Sequence, residues 1–246
     1  MPQLKAYHRP TNINDALQLL ARPGVNTAVV GGGTHILPKM NEMVDEVVDL
    51  QSVGLTEINY TGHGVTLGAM VRLQTIVDDE RAPALLRESA HREGPNTLRN
   101  AATIGGIVAG PYRESELLAA LLVFEATVTV QTTGDKKTIP LADFMQDVPA
   151  ALGGGIITAV SLATLGKTAV ERVGRTPADK PIVAAVARSH NDTIYLALCG
   201  VANTPILINP DNIKAAVSPP ADFRGSREYR RQMASTLSQR VVEQVS

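Results

Sequence analysis

Three consecutive glycines, Gly31-Gly32-Gly33, follow directly on the run Thr27-Ala28-Val29-Val30. This junction constrains the fold more than any other feature of the chain. The run reads as a short buried strand, and it must end in a loop without Cβ atoms, where the backbone can come close to a ligand or to another loop. A helical segment precedes it over 14–20, with Asn14 or Thr11 expected as its cap and Pro23-Gly24 as its stop. Strand follows helix at α/β spacing. A second loop of small residues, Thr103-Ile104-Gly105-Gly106, repeats the feature further on. Consecutive backbone N–H groups on two such loops, facing each other, would cradle a pyrophosphate with amide dipoles in place of lysine or arginine. Each loop taken singly reads more readily as a tight turn.

Familiar motifs fail at specific positions. A G-x-G-x-x-G fingerprint begun at Gly31 requires glycine where Ile36 stands, and the acid about 20 residues on is only loosely supplied by Asp49 or Glu57. Gly166-Lys167-Thr168 ends like a phosphate-binding loop, yet the upstream glycine is Ser161. The five histidines, at 8, 35, 63, 91 and 190, have no metal-ligand spacing. Cys199 lies inside an apolar strand and reads as core. A single cysteine supports no disulfide framework and no iron–sulfur cluster, which needs about four thiolates. A net charge of −1 gives no footprint for nucleic acid. The longest apolar run, 117–124, is far below the roughly 18 residues a membrane span needs, and the N-terminal stretch 1–10 is not of signal-peptide type. A cytoplasmic location is expected, with any membrane association made through partners.

Along the chain, strands are expected at 46–50, 64–69, 127–131, 156–162, 183–187, 193–198 and 205–208. Helices are expected at 73–79, 82–89, 114–124, 211–217 and 227–245, and 97–106 reads as a loop. The division expected is 1–162 (subdomains about 1–54 and 55–162) and 163–246, the latter an α+β unit with an antiparallel sheet. Arg224, Arg227, Arg230 and Arg231 read as a solvated helix face or, alternatively, a partner contact.

Tyr7-His8-Arg9-Pro10, the helix 15–20 and Val30-Gly31-Gly32-Gly33-Thr34-His35-Ile36-Leu37-Pro38 carry a resemblance, as do Arg99-Asn100-Ala101-Ala102-Thr103-Ile104-Gly105-Gly106, 172–175 with Asp179, and 222–231. In order and spacing these resemble the FAD-binding medium subunit of molybdenum hydroxylases, the family of aerobic carbon monoxide dehydrogenase and xanthine dehydrogenase. The match runs from about residue 4 to about 240. It implies an α+β chain with a two-subdomain, PCMH-type FAD-binding fold. A C-terminal domain like that of carbon monoxide dehydrogenase flavoprotein follows. It implies FAD held by Gly31, Gly32, Gly33, Thr34, His35, Ile36, Thr103, Ile104, Gly105, Gly106 and Ile107. Backbone amides of 31–36 and 103–106 would make the principal site, with support from Glu116, Ile157, Arg172 and Asp179. Tyr112 is a further candidate, also readable as a surface loop residue.

The resemblance also implies partners: a small subunit with [2Fe–2S] clusters and a large subunit with the molybdopterin cofactor, as a dimer of heterotrimers. Electrons would pass from a cluster through FAD to a quinone, NAD or oxygen. No residue here is expected as nucleophile, general acid or metal ligand. The sequence departs from the family at Ile107, usually Asn or Asp, at Glu116, usually Asp, and at His35, commonly Asp. Two alternatives stand beside this reading. One is the flavin subunit of an aromatic acyl-CoA reductase. The other is a flavin-free scaffold retaining the fold, which Ile107 favours.

Overall fold

A computed structural model describes residues 4–40 and 43–246; residues 1–3 of the N-terminal stretch lie outside them. The strands are β1 (Ala6–His8), β2 (Thr27–Val30), β3 (Glu46–Asp49), β4 (Ile58–Tyr60), β5 (Gly64–Gly68) and β6 (Thr127–Gln131). They continue as β7 (Lys136–Pro140), β8 (Ile156–Ala163), β9 (Lys167–Val173), β10 (Val183–His190), β11 (Thr193–Cys199) and β12 (Ile206–Ile208). The helices are α1 (Ile13–Leu20), α2 (Leu73–Asp78), α3 (Ala84–Arg92), α4 (Asn96–Arg99) and α5 (Ile104–Ala109). These are followed by α6 (Glu116–Val123), α7 (Leu141–Phe144), α8 (Val148–Leu152), α9 (Ile213–Ala216) and α10 (Arg227–Val245).

Two compact units form, interleaved in sequence. The first takes in the described residues through Thr75, with Asn96–Gly110 and Thr127–Ser161; the second takes in Ile76–Pro95, Pro111–Ala126 and Leu162–Ser246. The last crossing falls at Ser161, while 76–95 and 111–126 are excursions into the second unit that a division in sequence order does not represent.

The first unit holds two sheets. One has the order β1-β3-β2, parallel throughout, so all three strands end on the same edge. α1 covers it with Ala16 and Leu17, which pack with Val48, Leu50, Met70 and Ile156. Its cap is Asn12, whose side chain accepts from the Asp15 N–H at 2.9 Å; Asn14 falls in the first turn and Thr11 lies one residue too early. The second sheet has the order β4-β5-β8-β6-β7, and β6 pairs antiparallel with both β7 and β8.

The second unit is built on the antiparallel sheet β12-β11-β10-β9. β10 is buried from Val183 to Arg188, because helices cover it on both faces. On one face Val183, Ala185 and Ala187 pack with Ala234, Leu237 and Val241 of α10. α6 packs on β10, β11 and α3, and every residue from Glu116 to Val123 is buried. Cys199 is fully buried and free, and burial pushes its thiol well above the usual range.

The arginines before and within α10 do not form one solvated face. Arg230 is fully buried, its guanidinium donating to the Ile182 and Gly200 carbonyls and to Asp222, whereas Arg227 and Arg231 are exposed. The segment 97–106 is not a simple loop, since α4 and α5 occupy most of it. Thr103 caps α5 by accepting the Gly106 N–H, which overrides the poor helix propensity of its glycines. The expected helix over 211–217 is a 3₁₀ turn, Pro210–Asn212, running into the short α9. β9 has no sequence forecast because its alternation is blurred by Glu171 and Arg172; pairing with β10 makes it a strand.

Candidate functional site

Parallel strands present their carboxyl ends to one edge, where α/β sheets bind ligands. In the first unit, β2 runs into Gly31 at that edge and β3 into Leu50. Both residues line a pocket of about 110 Å³. Val29, Ala69, Met70, Leu152, Ile156 and Ile157 make its other apolar walls, and Thr103, Gly105, Gly106, Ala109 and Gly155 complete it. Such a pocket, mostly apolar with polar groups along one margin, suits a planar ring system carrying a polar substituent.

The two glycine loops meet at this margin. A Cβ on Gly31 would lie 2.9 Å from Thr103 Oγ1, and one on Gly32 would run into the carbonyl of Ala101, its carbon only 2.6 Å away. Glycine is therefore required where the first loop touches the second. The His35 ring lies against Gly110, where a Cβ would fall 2.5 Å from Nε2, so His35 ties its loop to the end of α5.

The loops differ in what they offer. Among the described residues, the N–H groups of Gly32, Gly33 and Thr34 donate to no protein acceptor. Of the four amides expected from the second loop, three are taken up by protein acceptors. Ile104 N–H donates to Val71 O and Gly105 N–H to Ala69 O, both at 2.9 Å, and Gly106 N–H to Thr103 Oγ1 at 3.2 Å. The two glycines contribute wall and no donor, whereas the Thr103 N–H donates to no protein acceptor among the described residues. Ile104 is core, Ile107 is half-buried on α5 outside the pocket lining, and Ile36 is half-buried in the turn before the 3₁₀ segment Leu37–Lys39.

Glu116, Arg172 and Asp179 lie in the second unit. Glu116, at the start of α6, is 2% exposed and bridges two cations: Arg92 Nη1 reaches its Oε2 at 3.1 Å, and Arg172 Nε stands 3.0 Å from its Oε1. The second approach is off-line for a hydrogen bond, so Glu116 Oε1 and Arg172 Nε are buried without one. Burial pushes the Glu116 carboxyl above its usual range, and Arg172 and Arg92 only partly pull it back. Arg172 also donates to the carbonyls of Pro177 and Asp179, while the Asp179 carboxylate pairs with Arg175 at 3.5 Å.

Beside this stands a second buried acid that no sequence pattern singled out. Glu93 accepts Ser115 Oγ at 2.7 Å, the Leu117 N–H at 3.2 Å and Lys180 Nζ at 3.0 Å. Lys180 also donates to Tyr112 Oη at 2.7 Å, so Tyr112 is anchored within this network. The apolar pocket walls Leu50, Met70 and Leu152 were likewise unmarked in sequence. Only adjacency to strand ends and to Gly153-Gly154-Gly155 could have pointed to them.

Comparison with known proteins places this geometry. The profile described as FAD binding domain in molybdopterin dehydrogenase matches residues 2–164. The carbon monoxide dehydrogenase medium chain of Afipia carboxidovorans is 26% identical, covering 96% of this chain and 95% of that one. The glyceraldehyde dehydrogenase medium chain of Sulfolobus acidocaldarius is 24% identical over 98% of each. Among solved structures, carbon monoxide dehydrogenase from Hydrogenophaga pseudoflava superposes with a TM-score of 0.87 at 21% identity, covering 100% of this chain and 98% of that one, a likeness of fold. With two thirds of its length matched by that profile, the chain belongs to the family of FAD-binding domains of molybdopterin dehydrogenases and is an oxidoreductase component.

Proposed function

We propose that this chain is the FAD-binding electron-transfer subunit of a heteromeric molybdenum-dependent hydroxylase or dehydrogenase. The observation that carries the reading is the pocket of the first unit, where apolar walls contributed by both sheets meet Gly31, the first residue of a loop whose next three amides donate to no protein acceptor among the described residues. The donor set fits FAD. Consecutive N–H groups suit a diphosphate, and the walls suit an aromatic ring. When bound, FAD supplies storage for two electrons and their release one at a time, which no side chain here can do.

The residues divide that work. Gly32, Gly33 and Thr34 hold the diphosphate through N–H groups. Val29, Leu50, Met70, Leu152, Ile156 and Ile157 exclude water from the ring. Thr103 fixes the second loop by capping α5. Gly31, Gly105 and Gly106 contribute further wall. His35, Ile36, Ile104, Ile107, Glu116, Arg172 and Asp179 stay assigned to the cofactor on the resemblance alone. So does the division into a flavin-binding domain, 1–162, and a C-terminal flavoprotein domain, 163–246.

In this reading the iron–sulfur clusters and the molybdopterin cofactor belong to a small and a large partner subunit, and electrons reach FAD from a cluster before leaving to an external acceptor. The names of the relatives support it, since medium chains are components of larger enzymes. So does the single cysteine. Among the described residues no helix is long and apolar enough to cross a membrane. The test is a visible spectrum of the purified chain before and after adding FAD. Bands near ~370 and ~450 nm, released on denaturation as FAD and not FMN, are expected. A colourless chain that takes up no FAD even beside iron–sulfur and molybdopterin subunits overturns the reading.

A further inference from the structure

Tyr7-His8-Arg9-Pro10 and Asp49 both stand out in the sequence, and the pocket uses neither directly. The structure joins them. Asp49, fully buried at the end of β3, accepts the Tyr7 hydroxyl and Arg9 Nε (3.1 Å) on Oδ2 and the Gln51 N–H (2.9 Å) on Oδ1. Arg9 reaches on to Gln51 Oε1 at 2.7 Å. The hydrogen bond to Asp49 raises the Tyr7 hydroxyl above its ordinary pKa, with burial adding to it. Asp49 is thus not the ribose-binding acid of a dinucleotide fingerprint, because its donors come from the protein and it is closed to solvent.

Its position explains what it does instead. Asp49 pairs with Val30 across the β2–β3 ladder, so its two chain neighbours in space and sequence are the exits to Gly31 and Leu50, both pocket walls. Tyr7 and Arg9 arrive from the opposite side, from β1 and the residue just beyond it. A carboxylate held by three donors at the carboxyl edge of a three-stranded sheet fixes the spacing of its strand ends, since charge-assisted hydrogen bonds are short and directional. At the other end of β3, Glu46 takes His8 and Arg22 in the same manner, but the pocket does not adjoin that end.

We propose that the Tyr7–Asp49–Arg9 brace is a positioning device for the cofactor, setting the separation of the first glycine loop from Leu50. This rests on the reading of that pocket as the FAD site. Its test compares Tyr7→Phe, Asp49→Asn and Arg9→Lys with Glu46→Gln in the full chain. FAD affinity comes from flavin fluorescence and stability from thermal melting without FAD. Tyr7→Phe and Asp49→Asn are expected to raise the Kd for FAD about tenfold, as loss of a hydrogen bond to a charged group does, with Arg9→Lys nearer wild type. Glu46→Gln is expected to lower the melting temperature at unchanged Kd. If Tyr7→Phe and Asp49→Asn, measured well below their melting temperatures, bind FAD as wild type does, the brace is only structural and the inference falls. It falls equally if Glu46→Gln weakens FAD binding to the same extent. A wild-type chain that binds no FAD, even beside iron–sulfur and molybdopterin subunits, instead removes the underlying reading of the pocket.

Discussion

Gly32 and Ala101 touch backbone to backbone: a Cβ on Gly32 would meet the Ala101 carbonyl and come within 3.1 Å of the Ala102 Cα. A flexible side chain could yield to such an intrusion, but a carbonyl at the end of α4 cannot, since the Ala101 and Ala102 N–H groups are bonded back to Leu98 O. Gly32→Ala is therefore expected to cost about 3 kcal/mol of stability, the upper end for overpacking, and to abolish FAD retention. Gly134, whose Cβ would meet nothing within 4 Å, is the control; Gly134→Ala should stay within about 0.5 kcal/mol of wild type. Thermal melts and the flavin spectrum of the two variants read both effects.

The buried acid of the second unit gives a pH-dependent prediction. Glu116 has its carboxyl pushed up by burial, so the folded chain binds that proton more readily than the unfolded one. The sign follows: stability from this group is largest below about pH 4.5 and declines as pH rises through the raised value. Glu116→Gln, which mimics the protonated form, should gain on wild type as pH is raised from 4 to 8. Arg172→Met removes one of the two opposing cations and should behave in the opposite way. Its cost reaches about 3–5 kcal/mol at pH 8 and shrinks toward pH 4, where Glu116 can take up a proton. Chemical denaturation of the three proteins across that range checks the two slopes.

Much of this architecture was legible in the chain. Strongly patterned segments such as 64–69 and 127–131 declare themselves because one face of each is buried and the period follows. The first glycine loop was legible for a steric reason, since few folds place three glycines after a buried strand. What stayed hidden depends on contacts distant in sequence. Arg230 looks like one of four exposed arginines until Ile182, Gly200 and Asp222 are brought around it. Glu93 looks like a helix-end acid until Ser115 and Lys180 meet it. In sequence the second loop reads as a source of amides, but the Ala69 and Val71 carbonyls that take two of them lie over 30 residues earlier. The interleaving of the two units is hidden for the same reason. Nothing local marks 111–126 as belonging with β10 and β11.

Asp222 supplies the last prediction, with the opposite sign to Glu116. Burial alone would push this carboxyl up. The Arg224 N–H and the guanidinium groups of Arg230 and Arg224 outweigh it and bring it to about 2 from 3.8. Its contribution is therefore fully present above about pH 4 and is lost as pH falls toward 2. A depression of that size corresponds to roughly 2 kcal/mol at neutral pH. Asp222→Asn should cost at least that much at pH 7, because Arg230 is fully buried and loses its carboxylate partner, at 2.8 Å. Most of the pH-dependent part of that cost should be gone near pH 2, where wild-type Asp222 is itself about half protonated. Urea titrations of both proteins at pH 7, 4 and 2.5 read the convergence. Parallel curves, with the same gap at every pH, would show that the Asp222 charge contributes nothing to stability and that the loss is one of hydrogen-bond geometry.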